Sequence, residues 1–113
     1  MKKVLIIADG ILAKQFLERV MDMEAGENSY TVITYKEDTL PKKRPENFKF
    51  FEFDPTSFEK LSIILNEQFF QVMIILSNEL DVIATYKNIR AWIPKCVLCL
   101  WTDGIYKSMI NAF

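Results

Sequence analysis

The chain has 113 residues, half of them hydrophobic and 13% aromatic, with a formal net charge of −1 and no histidine. That is enough apolar material for one self-sufficient core, which excludes a disordered segment, and the near-neutral charge removes the overall attraction on which a nucleic-acid or anionic-membrane binder relies. Without histidine, the commonest general base and the commonest metal ligand are both missing.

No apolar stretch approaches the roughly 18 residues that span a bilayer, and the opening residues lack a signal-peptide pattern. The expectation is one cytoplasmic domain over residues 1–113, without direct membrane insertion and without a nucleic-acid partner.

In Lys2 to Ile7, the continuous apolar run Val4 to Ile7, rich in β-branched residues, reads as a strand buried on both faces. The period then switches: Ala13, Phe16, Leu17, Val20 and Met21 recur at helical spacing. Between them, Ala8 to Ala13 has the spacing of the dinucleotide fingerprint G-x-G-x-x-G/A, with Ala8 in place of the first glycine and Gly10 retained. Gly26 is placed near the end of this helix. Tyr30 to Tyr35 reads as a second strand.

The polar, proline-bounded stretch from Lys36 to Asn47 predicts at most one frayed helical turn and looks free to act as a lid or partner contact. Within it, Lys42-Lys43-Arg44 reads as a solvated loop rather than a phosphate patch. Phe48 to Phe53 predicts a third strand near a sheet edge, because Lys49 and Glu52 must find water. Thr56 followed by Glu59 predicts a capping box opening a helix with the stripe Phe58, Leu61, Ile64 and Leu65.

Val72 to Leu76 is the fourth strand, and a helix through Leu80, Ile83 and Ala84 is expected to run to about Arg90, broken by Pro94. Cys96 to Trp101 is the fifth strand. Thr102-Asp103-Gly104 predicts a turn, and Ile105 to Phe113 a short terminal helix. Cys96 and Cys99, three apart in a strand, point to opposite faces and read as buried apolar thiols rather than a metal or redox pair. Trp92, Trp101 and the phenylalanines are expected in the core.

Strands alternating with helices at this spacing predict an α/β, Rossmann-like, doubly wound parallel sheet with helices on both faces. Ligands in such sheets sit beyond the carboxyl ends of the strands, where the strand order reverses. The candidate binding residues are therefore Ala8, Asp9, Gly10, Ile11 and Leu12 after the first strand, Tyr35 and Lys36 after the second, Asp54, Pro55 and Thr56 after the third, Ser77 and Asn78 after the fourth, and Thr102 and Asp103 after the fifth.

At these positions the chain resembles the N-terminal nucleotide-binding domain of TrkA and of the regulators of potassium conductance (RCK). The apolar strand Val4 to Ile7 with the turn Ala8-Asp9-Gly10-Ile11-Leu12-Ala13, the third-strand turn Phe53-Asp54-Pro55-Thr56-Ser57, and the run Val72 to Asn78 carry the resemblance, which spans the whole chain. It implies a regulatory domain that senses NAD(H) or an adenine nucleotide, pairs as a homodimer, and serves a potassium channel or transporter carried on another chain or on a further part of a longer protein. The family's acidic residue after the second strand aligns with Tyr35.

Three departures weaken the expected binding. A Cβ at Ala8 costs up to about 1–2 kcal/mol if the backbone there is left-handed. Asp9 puts a carboxylate where phosphates are received, worth roughly 1–4 kcal/mol of repulsion at contact distance. Tyr35 cannot accept the paired ribose bonds of a carboxylate, each roughly 1.5–3 kcal/mol. Asp9, Asp54 and Ser77 also fall where a receiver-like phosphoacceptor keeps its acids and switch hydroxyl, so a degenerate receiver is an alternative, as is a dimerisation module that has lost its ligand. The absence of histidine and of a Tyr-x-x-x-Lys pair argues against catalysis.

Overall fold

The structure is a computed structural model and describes residues 2–22, 28–36 and 40–92, together with the backbone of 97–101. In chain order the elements are β1 (Lys2–Ala8), α1 (Gly10–Asp22), β2 (Asn28–Thr34), β3 (Phe48–Glu52), α2 (Phe58–Ile64), β4 (Gln71–Ile75), α3 (Glu79–Trp92) and β5 (Val97–Trp101). The strands form one sheet in the order β3-β2-β1-β4-β5, every neighbouring pair parallel. This is the Rossmann order, and it reverses direction between β1 and β4.

The two-residue alternation of the central strands sorts their side chains into two layers. Leu5, Ile7, Ile33, Val72 and Ile74 meet Leu61 and Leu65 at α2 and Val82 and Ile89 on α3. On the other face Val4, Ile6, Ala8 and Val32 meet Ala13, Leu17 and Met21 of α1. Both faces of β1 from Val4 onward are therefore covered, which is why Val4–Ala8 is apolar without a break, while Lys2 and Lys3 are exposed. Each fully buried Leu, Ile or Val contributes about 1.5–3 kcal/mol.

Local chemistry sets the helix starts. Asn78 caps α3, its Oδ1 accepting from the backbone N–H of Leu80 at 2.9 Å and of Asp81 at 3.2 Å. Ser57 caps α2, accepting from the Lys60 N–H at 3.5 Å. The expected capping box at Thr56 is thus displaced by one residue, because Asp54 Oδ1 already holds Thr56 through its N–H at 2.9 Å and its hydroxyl at 2.6 Å. The indole N–H of Trp92 donates to the Leu65 carbonyl at 3.0 Å, tying the ends of α2 and α3 together.

Several boundaries and faces differ from expectation. β2 starts at Asn28 rather than Tyr30 and ends at Thr34, since pairing with β1 begins at Lys2. The α3 face toward the sheet is Val82, Thr85 and Ile89, whereas Leu80 is 70% exposed. Capping at Asn78 sets the rotation of the helix and turns Leu80 outward. The Thr85 hydroxyl is buried with no partner among the described residues.

Phe51, Phe58, Phe70 and Trp92 are all exposed rather than core, because β3 lies at the sheet edge and the two-layer core is filled without them. The described part of the stretch after β2 is not free: Leu40 and Pro41 are buried, Leu40 among the α1-side core residues, while residues 37–39 lie outside the described residues. Lys42, Lys43 and Arg44 are exposed as expected. Lys43 pairs with Asp22 at 3.2 Å, and Arg44 donates to the Pro41 carbonyl and lies over the Phe50 ring at 4.2 Å. Gly26, Pro94, Cys96, the turn at 102–104 and the helix at 105–113 lie outside the described residues; Cys99 falls within β5, opposite Met73.

Candidate functional site

The reversal of strand order opens a crevice of about 330 Å³ between the ends of β1 and β4, lined by Asp9, Gly10, Ile11, Leu12, Ile75, Leu76 and Ser77. Small-ligand sites start near this volume, at roughly 300 Å³. Its shape depends on Gly10, whose φ of +88° is a left-handed conformation that L side chains rarely adopt. A Cβ at Gly10 would also meet Ser77 Cβ at 3.3 Å, so the glycine allows the two strand ends to approach closely.

The crevice walls are pinned to each other. The Asp9 N–H donates to the Ile75 carbonyl at 2.9 Å, and the Ser77 hydroxyl donates to Asp9 Oδ2 at 3.1 Å. This places a half-buried carboxylate directly before the first turn of α1, where backbone donors and the positive end of the helix dipole are found. Ile11 and Leu12 project beyond it, 76% and 53% exposed.

A second group of polar side chains gathers at the ends of β2 and β3. The Tyr35 hydroxyl donates to Asp81 Oδ2 at 2.8 Å, joining the end of β2 to the first turn of the helix that follows β4. Burial, together with the Asp81 and Asp54 carboxylates, holds the Tyr35 phenol well above its usual range. Asp54 is held below the usual carboxylate range by the Thr56 hydroxyl and N–H, with smaller help from Tyr35 and Lys60. Asn88 on α3 donates to the Thr56 carbonyl at 3.0 Å, bracing the same turn.

The predicted residues therefore divide. Asp9, Gly10, Ile11, Leu12 and Ser77 line one crevice. Ala8 does not belong to the turn: it ends β1 and is fully buried, so its Cβ meets no left-handed backbone and the penalty expected there does not arise. Asn78 spends its side-chain oxygen on capping α3. Pro55 is buried, Asp54 and Thr56 bind each other, and Lys36 follows β2 with its carbonyl accepting from Thr34 Oγ1 at 3.4 Å. Thr102 and Asp103 lie outside the described residues.

Sequence reasoning missed Ile75 and Leu76 as lining residues and Asp81 as the partner of Tyr35. A carboxylate in the first turn of a helix that opens at the switch point was the available signal for Asp81. Among the described residues no cluster of His, Cys, Asp and Glu is suited to a metal ion, and no helix is long and apolar enough to cross a membrane. The Ser77–Asp9 pair has no imidazole to relay a proton, since the chain contains no histidine.

No protein-family model matches the chain, and no curated protein matches it. Among solved structures it is similar to a "putative epimerase" from Bacteroides thetaiotaomicron, with a TM-score of 0.65 and 16% identity over 88% of this chain and 46% of that one. The chain thus spans about half the length of that protein. At this identity the likeness is one of fold, and with the strand order it makes the chain a Rossmann-like α/β domain.

Proposed function

We propose that this is a regulatory, non-catalytic domain that holds an adenine nucleoside or nucleotide, NAD(H) included, in the crevice between β1 and β4. The observation that carries the reading is the left-handed Gly10 opening α1 at the point where strand order reverses, beside a cleft of ligand size. The TrkA and RCK resemblance supplies the setting: a cytoplasmic homodimer acting on a potassium channel or transporter. Ligand seated between the start of α1 and the end of β4 would bias their relative position, the route by which binding would reach a partner surface.

Calorimetry and thermal shift with NAD+, NADH, adenosine, AMP, ADP and ATP test this. A ligand at 100 times its dissociation constant raises stability by about 2.7 kcal/mol, several degrees in a domain of this size. The expected result is a shift with at least one of these, lost in Gly10→Asp. No shift with any of them would leave the dimerisation module as the better account.

The receiver-like alternative has less support. Receivers use the strand order 2-1-3-4-5, which brings the first and third strands side by side. Here β2 stands between β1 and β3, so Asp9 and Asp54 end on strands that are not neighbours.

A further inference from the structure

We propose, resting on the reading above and narrowing it to the nucleosides, that the crevice prefers a nucleoside whose 5′ end is neutral or cationic over one whose 5′ end is a phosphate. The start of α1 is the usual seat for phosphate, because its backbone N–H groups and dipole favour an anion. In this chain the seat already faces a resident anion. Asp9 lines the crevice, its main chain is fixed to Ile75 and its carboxylate to Ser77, so it stands at the mouth instead of turning away into solvent.

Among the described residues nothing in the lining offsets that charge: the other contributors are Gly10, Ile11, Leu12, Ile75, Leu76 and Ser77, with no lysine or arginine among them. Lys36 follows the end of β2 and Lys60 acts on Asp54, and neither lines the crevice. Outside the crevice, at the ends of β2 and β3, Tyr35 is bonded to Asp81 with Asp54 beside it, so the neighbouring polar group adds further carboxylates. The exposed Ile11 and Leu12 side chains, on the first turn of α1, offer apolar contact to a base or an uncharged substituent.

A series varied only at the 5′ position tests this: 5′-amino-5′-deoxyadenosine, adenosine and AMP, titrated into the wild type and Asp9→Asn by calorimetry. In the wild type the amine is expected to bind about tenfold tighter than adenosine and AMP about tenfold weaker, each step corresponding to about 1.4 kcal/mol. High salt should compress both steps by screening. Asn keeps an oxygen to accept from Ser77, so Asp9→Asn should fold as the wild type does and bring the three affinities to within about threefold of one another.

AMP binding as tightly as adenosine in the wild type overturns the proposal, and so does an order left unchanged by Asp9→Asn. Failure of all three to bind overturns the nucleoside reading itself and this proposal with it, whereas phosphate-tolerant binding leaves that reading standing.

Discussion

Gly10 takes a φ of +88° in a space bounded by Ser77 Cβ, which a Cβ would approach to 3.3 Å. Gly10→Ala is expected to cost about 1–2 kcal/mol from the left-handed backbone, with more from the contact, read as a lower urea midpoint at unchanged slope. Tyr35 makes a different kind of prediction. Its native phenol titrates above the usual 10.0, so the unfolded chain gives up that proton first and binds fewer protons than the native state as pH rises past 10. Its contribution is fully present below pH 10 and is lost above it. The stability difference between wild type and Tyr35→Phe should be constant from neutral pH to about 10 and shrink beyond; a difference that stays flat would mean that burial and the neighbouring Asp81 and Asp54 carboxylates do not raise the phenol.

The helices owe their positions to their first turns. Asn78 satisfies two backbone donors of α3, and Asn78→Ala should lower stability by about 1 kcal/mol. Leu80→Ala, two residues on but facing outward, should stay within about 0.5 kcal/mol of wild type. A thermal melt of the pair separates capping from burial, and equal losses would refute the rotation assigned to α3. The same cap brings Asp81 into the half-buried first turn where Tyr35 reaches it. Local capping chemistry therefore positions a side chain of the site. At the other side of the sheet, β3 stands at the end of the strand order, beside β2, and leaves Phe51 partly exposed, as an edge strand does.

The sheet joins the two layers, since β1 contributes Leu5 and Ile7 to one and Val4 and Ile6 to the other. Leu17 under α1 and Leu61 under α2 are both fully buried, and Leu17→Ala and Leu61→Ala should each cost about 2–5 kcal/mol. Because they lie on opposite faces of the sheet, their effects should add in the double variant while unfolding keeps a single transition. Two separate transitions would show that the layers fold independently.

The central strands, the α/β alternation, the edge position of β3 and the importance of Gly10 were all legible in the residues, because apolar periodicity and turn chemistry act over a few neighbours. The same local signals placed Asp9, Gly10, Ile11, Leu12 and Ser77 at strand ends, where the crevice is found. They failed where the outcome depends on what packs against a segment. Ala8 looked like a turn residue and is buried in the sheet; Leu40 looked like part of a free loop and is held in the core. Thr56 looked like a helix cap and is held by Asp54 instead. That Tyr35 meets Asp81, 46 residues away, follows from β1 lying between β2 and β4, a strand order that only pairing across the sheet can set.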